Sequence, residues 1–189
     1  QQNDLDTSLV NPVPAEVHQR ACQYRLQRVR EQLKAHDCAA ILLYDPVNIR
    51  YATDSSNMQV WTLHNYARYS LIFAQGPAIV WEFHNCEHLL TGNQQVDEVR
   101  TAINWSYFGA GNRIHEKVQQ WADDIMAQLN KHAPGDKRLA VDKADFEGLD
   151  LLREKGLHLV DGHRIMEEAR KVKSADEIAL MRWTIDVCQ

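Results

Sequence analysis

The chain has 189 residues, 44% of them hydrophobic, and a formal net charge of −5 at neutral pH. This length is sufficient for one domain with a substantial core, and no apolar run approaches the ~20 residues that span a membrane. The mild negative charge, with both signs interspersed along the chain, offers no basic surface for nucleic acid or anionic lipid.

The first third of the chain predicts a helix followed by a buried strand. Residues 1–14 are polar and contain two prolines, a composition that predicts a disordered lead-in. Over residues 15–36 apolar side chains recur at steps of three and four, as on the buried face of a helix. Residues 38–44 are a continuous apolar run, which is typical of a strand covered on both faces. Residues 48–54 predict a turn or a short helix.

The remainder of the chain alternates between strands and helices. The apolar runs 69–74 and 78–83 surround Gln75-Gly76-Pro77, a turn sequence, and therefore predict a β-hairpin. An amphipathic helix is predicted for 114–129. Shorter elements complete the pattern: a helical piece at 88–93, strands at 99–107, 138–142 and 157–160, and a helix at 145–155. This order predicts an α/β fold with a mixed sheet covered by helices.

A capping box marks the start of the last predicted helix. Ser174 and Glu177 have the spacing at which each side chain bonds the other residue's backbone N–H. An apolar stripe follows at helical spacing: Ile178, Met181, Ile185 and Cys188. The chain ends inside this helix without a C-cap signal. We therefore expect one domain over 15–173 and, over 174–189, the truncated first helix of an absent domain.

Motifs for catalysis or metal binding are scarce. His84 and His88 lie four residues apart with Cys86 and Glu87 between them, a spacing that brings two imidazoles to one face of a helix. The segment follows a strand and lacks the His-Glu-x-x-His order, so we interpret it as a polar loop. There is no Gly-x-Ser-x-Gly nucleophile motif and no phosphate-binding loop. We assign no catalytic residue, no metal ligand and no cofactor to this chain.

The segment 55–68 combines large rings with polar groups and has no clean periodicity. Four of its side chains are candidates for facing a substrate, because they can stack, donate hydrogen bonds or carry charge: Trp61, His64, Asn65 and Arg68. The alternative is a loop whose aromatic side chains fold back onto the core. The residue types alone favour neither interpretation.

Two segments resemble the N-terminal domains of the creatinase, prolidase and aminopeptidase P family. Residues 48–54, Asn-Ile-Arg-Tyr-Ala-Thr-Asp, are similar to its Asn-Ile-x-Tyr-x-(Thr/Ser)-Gly segment, with Asp54 where glycine is usual. Residues 170–178, Arg-Lys-Val-Lys-Ser-Ala-Asp-Glu-Ile, are similar to its Arg-x-Ile-Lys-Ser-x-x-Glu segment. The run 48–65 also resembles dimethylsulfoniopropionate lyases of this superfamily and Xaa-Pro-peptidase-like relatives, which leaves lyase and peptidase both open.

The resemblance implies a ribonuclease-H-like, non-catalytic domain that serves dimerisation and covers an active site, often that of the neighbouring subunit. In such proteins the segment corresponding to 55–68 reaches over the site. The resemblance also implies a divalent metal pair, held by two Asp, one His and two Glu, in a C-terminal catalytic domain that this chain lacks. We therefore expect an inactive part of a hydrolase of metallopeptidase family M24. The hydrolase would be an Xaa-Pro peptidase or a prolidase that acts on a dipeptide or another small molecule.

Two alternatives stay open: the same domain of a dimethylsulfoniopropionate lyase-like enzyme, and a stand-alone interaction module. The expected partners are the absent catalytic domain and a second copy in a homodimer, with neither nucleic acid nor membrane. Four cysteines without a Cys-x-x-Cys spacing predict reduced thiols in a cytoplasmic protein.

Overall fold

The computed structural model describes residues 13–188. Residues 1–12 of the predicted lead-in therefore lie outside the described part of the chain. The strands are β1 (Ala40–Leu43), β2 (Tyr69–Phe73), β3 (Ala78–Glu82), β4 (Glu98–Thr101), β5 (Arg138–Val141) and β6 (His158–Asp161). The α-helices are α1 (Ala15–Ala35), α2 (Pro46–Thr53), α3 (Gln59–His64), α4 (Tyr107–Ala110), α5 (Ile114–His132), α6 (Phe146–Glu154), α7 (Gly162–Lys171) and α8 (Ala175–Cys188).

The strands form one six-stranded sheet in the order β4-β3-β2-β1-β5-β6. Strand β2 runs antiparallel to both of its neighbours, whereas the other adjacent strands pair in parallel. The carboxyl ends of all strands except β2 therefore lie at one edge of the sheet, together with the start of β2. We call this side of the domain the carboxyl edge. The predicted α/β fold with a mixed sheet is confirmed.

Helices cover both faces of the sheet. On one face, α5 and α6 enclose a core that contains three wholly buried tryptophans: Trp81, Trp105 and Trp121. On the other face, α1, α2 and α7 pack on apolar side chains of the central strands. Every residue of β1 is buried, as the continuous apolar run predicted. No helix within residues 13–188 is long and apolar enough to cross a membrane.

Helix α7 is an element that the sequence prediction missed. The Asp161 carboxylate caps it by accepting hydrogen bonds from the backbone N–H groups of His163 and Arg164. The helix starts close against β5, since a Cβ atom added to Gly162 would lie 2.6 Å from the carbonyl carbon of Val141. Only glycine fits at this junction. Ile165, Met166 and Ala169 are the buried apolar residues of the helix.

Other predicted elements match in kind and differ in length. The hairpin is confirmed by the antiparallel pairing of β2 with β3. The strand predicted for 99–107 is too long, because β4 ends at Thr101 and the chain then turns to bury Trp105. The Trp105 indole N–H donates to the Tyr44 hydroxyl over 3.1 Å, which fixes this turn beside β1.

The start of α8 is attached to α1. The capping box is confirmed, because the Ser174 N–H donates to Glu177 over 3.0 Å and the Glu177 N–H donates to the Ser174 hydroxyl over 3.1 Å. The Glu177 side chain is buried and also accepts from the Arg25 guanidinium at 2.7 Å. The apolar stripe beyond this turn is exposed, with Met181 51% and Ile185 55% accessible.

Candidate functional site

A buried ion pair fixes the ends of the segment 55–68 at the carboxyl edge. Arg68 Nε lies 2.7 Å from Glu82 Oε2, and the two side chains are 1% and 0% exposed. Arg68 also donates to the Ser55 hydroxyl over 2.7 Å, and the Asn57 amide donates to Glu82 over 2.9 Å. The pair therefore holds Ser55, Asn57 and Arg68 against the end of β3.

The position of Arg68 corrects the sequence prediction that this side chain faces a substrate. The guanidinium lies beneath the surface, because the register of the hairpin places it next to the Glu82 carboxylate at the end of the buried strands. A buried charge is stable only when it is paired and hydrogen-bonded. Arg68 is thus a positioning residue for the segment.

Trp61 lies on the short helix α3 and is half-buried. Its ring makes edge-to-face contacts with Phe83, at a centroid distance of 5.4 Å, and with Phe108, at 6.3 Å. The Phe108 side chain is 77% exposed. We call Trp61, Phe83 and Phe108 together the aromatic patch. Within it, one side of the Trp61 ring packs on other side chains, and the other side is accessible to solvent.

His64 and Asn65 follow at the end of α3. The His64 side chain is exposed, and nothing in residues 13–188 forms a hydrogen bond or ion pair with it. The Asn65 amide donates to the Trp61 carbonyl over 3.1 Å and closes the helix. The structure therefore brings Trp61, His64 and Asn65 together on one surface helix, with Arg68 buried apart from them. Their action on a substrate stays a prediction.

Apolar side chains around the aromatic patch are also exposed. They lie on segments that follow strands at the carboxyl edge, namely α3, α4 and the start of α6. The exposed members are Val60, Leu63, Tyr107 and Phe146. The Lys143 ammonium donates to the Leu63 carbonyl over 2.6 Å, which holds α3 against the β5–α6 connection. Several large apolar side chains exposed on one side of a domain are typical of a contact with another protein domain.

Asp142 organises the centre of the carboxyl edge and was missed in the sequence. Its carboxylate accepts hydrogen bonds from the backbone N–H groups of Tyr44 and Asp45 and from the Asn48 amide. Burial raises the pKa of Asp142 to about 6, although these hydrogen bonds act to lower it. An acidic residue directly after a buried strand, as here after β5, is the signal that could have identified it.

The histidine pair considered for metal binding is not assembled. His84 lies in a turn before a short 3₁₀ helix, Glu87–Leu90, so the two histidines do not share a helical face. His88 Nδ1 lies 3.1 Å from the Asn85 carbonyl oxygen. The segment is thus a polar turn after β3 followed by this short 3₁₀ helix, and the absence of a metal site here stays a prediction.

Comparison with known proteins identifies the family. Residues 25–172 match the model of the creatinase/prolidase N-terminal domain. Two curated dimethylsulfoniopropionate lyases, both designated DddP, are similar in sequence. The protein of Roseobacter denitrificans is 38% identical over 88% of this chain and 37% of its own length. That of Roseovarius nubinhibens is 34% identical over 90% of this chain and 38% of its own length.

The fold is also that of solved prolidases. A recombinant prolidase from Thermococcus sibiricus superposes with a TM-score of 0.59 at 14% sequence identity, covering 84% of this chain and 39% of that one. At this identity the likeness concerns the fold alone. The chain spans less than two fifths of the length of the curated relatives. Since the family model covers most of the chain, the chain belongs to the creatinase/prolidase N-terminal domain family.

Proposed function

We propose that this chain is the non-catalytic N-terminal domain of a dimethylsulfoniopropionate lyase-like enzyme and that its carboxyl edge covers the active site. The partly exposed aromatic patch at this edge is the observation that carries the proposal. The identities of 38% and 34% with the two lyases favour this substrate class over dipeptides. The divalent metal pair and the reacting groups belong to a C-terminal catalytic domain.

The chemistry of the substrate suits the side chains of α3. Dimethylsulfoniopropionate carries a sulfonium cation at one end and a carboxylate at the other. Aromatic faces attract such cations, and tryptophan does so best. An imidazole N–H donates a hydrogen bond to a carboxylate in either protonation state. Trp61 would therefore contact the sulfonium and His64 would orient the carboxylate, while the aromatic patch keeps water out of the closed site.

The exposed apolar side chains of the carboxyl edge support the covering role. Phe108 and Phe146 are 77% and 84% exposed in this domain, and burial of such rings against another domain is favourable. We assign this contact to the catalytic domain, either of the same subunit or of the second subunit in a homodimer. In both arrangements the buried Arg68–Glu82 pair holds the segment 55–68 in the orientation that the contact needs.

An Xaa-Pro dipeptidase is the second candidate, because the family model that the chain matches is that of creatinases and prolidases. The two functions separate in one assay of the full-length protein with dimethylsulfoniopropionate and with Xaa-Pro dipeptides. We expect turnover of the first and not of the second. Turnover of dipeptides alone would replace the lyase with the peptidase. The 189-residue chain by itself should turn over neither.

Substitutions at Trp61 and His64 test the role of α3. In the full-length protein, Trp61→Ala and His64→Ala should lower kcat/KM clearly while leaving melting temperature and metal content near native. The matched control is His158→Ala, because this exposed histidine begins β6 at the opposite edge of the sheet. A strong loss of stability in Trp61→Ala with normal turnover by the folded fraction would assign Trp61 to the core and contradict the proposal.

A further inference from the structure

Three potential metal ligands meet where α1 passes the end of α2. His18 and Cys22 lie one helical turn apart on α1, and Asp54 is the residue that ends α2. His18 Nε2 lies 3.7 Å from Cys22 Sγ and 3.3 Å from Asp54 Oδ2. Ligand atoms of all three fall within 4.8 Å of one another, and within residues 13–188 no other group of three shares this property.

These separations match those between ligands of a tetrahedral zinc ion. Zinc binds imidazole nitrogen and carboxylate oxygen at about 2.0–2.2 Å and thiolate sulfur at about 2.3 Å, so that neighbouring ligand atoms lie about 3.3–3.6 Å apart. The two distances from His18 are already close to these values.

The site is partly enclosed and has room for a fourth ligand. The Cys22 side chain is buried, while the His18 and Asp54 side chains are 45% and 31% exposed. All three line a cavity of about 250 Å³ whose far wall includes Asn93 and Gln94. Water in this cavity can complete a tetrahedral coordination shell.

Asp54 combines an unusual backbone conformation with a carboxylate that lies beside α1. Asp54 has φ 51° and ψ 35°, the left-handed conformation that favours glycine and that aspartate adopts more readily than most residues. Its backbone N–H bonds the Arg50 carbonyl and closes α2. A glycine would suit this conformation equally well but would supply no ligand atom.

We propose that His18, Cys22 and Asp54 bind Zn²⁺ and that the ion fixes α1 to the end of α2. The three ligands all belong to this chain, and the proposal does not rest on the proposed function. Its consequence is structural, because Asp54 directly precedes the segment 55–68 that carries α3. The alternative is that His18 and Asp54 form only a surface ion pair beside Cys22, a cysteine of the core.

Zinc binding requires that the Cys22 thiol lose its proton. Burial, aided by the nearby Asp54 carboxylate, raises the pKa of the Cys22 thiol to about 12. The thiol is therefore protonated at neutral pH, and its proton must leave to solvent when the sulfur binds zinc.

The test uses the 189-residue chain, first stripped of metal with a chelator. Added Co²⁺, a spectroscopic substitute for zinc, should produce a thiolate-to-metal charge-transfer band and the intense visible bands of tetrahedral cobalt. Zn²⁺ at about 100-fold above its Kd should raise the melting temperature by roughly 5–10 °C. Mg²⁺, which prefers six oxygen ligands, should not change it.

Variants assign the signal to the site. Cys22→Ser should abolish the charge-transfer band, whereas Cys38→Ser, at another buried cysteine, should retain it. His18→Gln keeps the Cys22 thiol and changes a solvent-accessible residue, so the variant should fold. It should bind Zn²⁺ at least roughly 100-fold more weakly, which exceeds the effect of losing a residue that only supports a metal ligand. If wild type shows no charge-transfer band, or if His18→Gln binds zinc as tightly as wild type, the proposal is wrong.

Discussion

The Arg68–Glu82 pair makes the sharpest prediction about stability. In Arg68→Met the side-chain length is kept and the charge is lost, which leaves the wholly buried Glu82 carboxylate without its counter-ion. Removing one member of a buried ion pair costs about 3–5 kcal/mol, compared with about 0–1 kcal/mol for an exposed pair. For a domain of this size the expected fall in melting temperature is on the order of 10 °C.

Urea unfolding followed by tryptophan fluorescence measures this loss. With a slope of about 2 kcal/mol per molar urea, the midpoint of Arg68→Met should fall by about 2 M. The double variant Arg68→Met/Glu82→Leu should regain a large part of the loss, because no unpaired charge then remains buried. Arg113→Met is the matched control, since Arg113 pairs with Glu116 on the surface and its loss should not move the midpoint.

The reasoning fails if Arg68→Met unfolds at the same urea concentration as the Arg113→Met control. That result would mean that water reaches Glu82 and that other contacts hold the segment 55–68. It would equally fail if the double variant were less stable than Arg68→Met, because the pair would then contribute packing and hydrogen bonds that outweigh the burial of charge.

Three further predictions concern other parts of the domain. Burial raises the folded-state pKa of Asp142 to about 6. The free energy of unfolding should therefore fall by roughly 3 kcal/mol as pH rises from about 4 to about 7. Urea titrations of Asp142→Asn should lack this fall. Gly162→Ala should lower the free energy of unfolding by about 2–3 kcal/mol in urea titrations, because the β5 backbone blocks the new Cβ. Glu177→Gln should lower the melting temperature by weakening the contact with Arg25, whereas deletion of 180–189 should leave it unchanged.

The β2–β3 hairpin shows what the sequence could reveal about the candidate site. Its apolar runs and turn predict the pairing that the structure confirms, with Tyr69 opposite Trp81. One step outward in this register stands Arg68 opposite Glu82, so the partner of Arg68 was available from the sequence. Its burial was not, because that depends on Ser55 and on segments that cover the end of the hairpin from elsewhere in the chain.

Two features were not predicted from the sequence, for different reasons: helix α7 and the cluster of His18, Cys22 and Asp54. In α7, charged residues surround a narrow apolar face, and the Asp161 cap was the signal that could have marked its start. In the cluster, the spacing of His18 and Cys22 was visible, but Asp54 joins them only because α1 packs against α2. Contacts between helices that are distant in sequence cannot be obtained from periodicity.

Strand β1 pairs with one strand that follows it closely in sequence and with another that is made much later during synthesis. Ala40 pairs with Phe73 of β2 and with Leu139 of β5. On the ribosome β2 emerges soon after β1, whereas β5 appears only after α5 has been made. At about 5–20 residues per second, the nascent chain carries the bare apolar edge of β1 for several seconds. Such an edge pairs readily with other chains, so the unfinished domain should depend on chaperones although the finished one buries the edge completely.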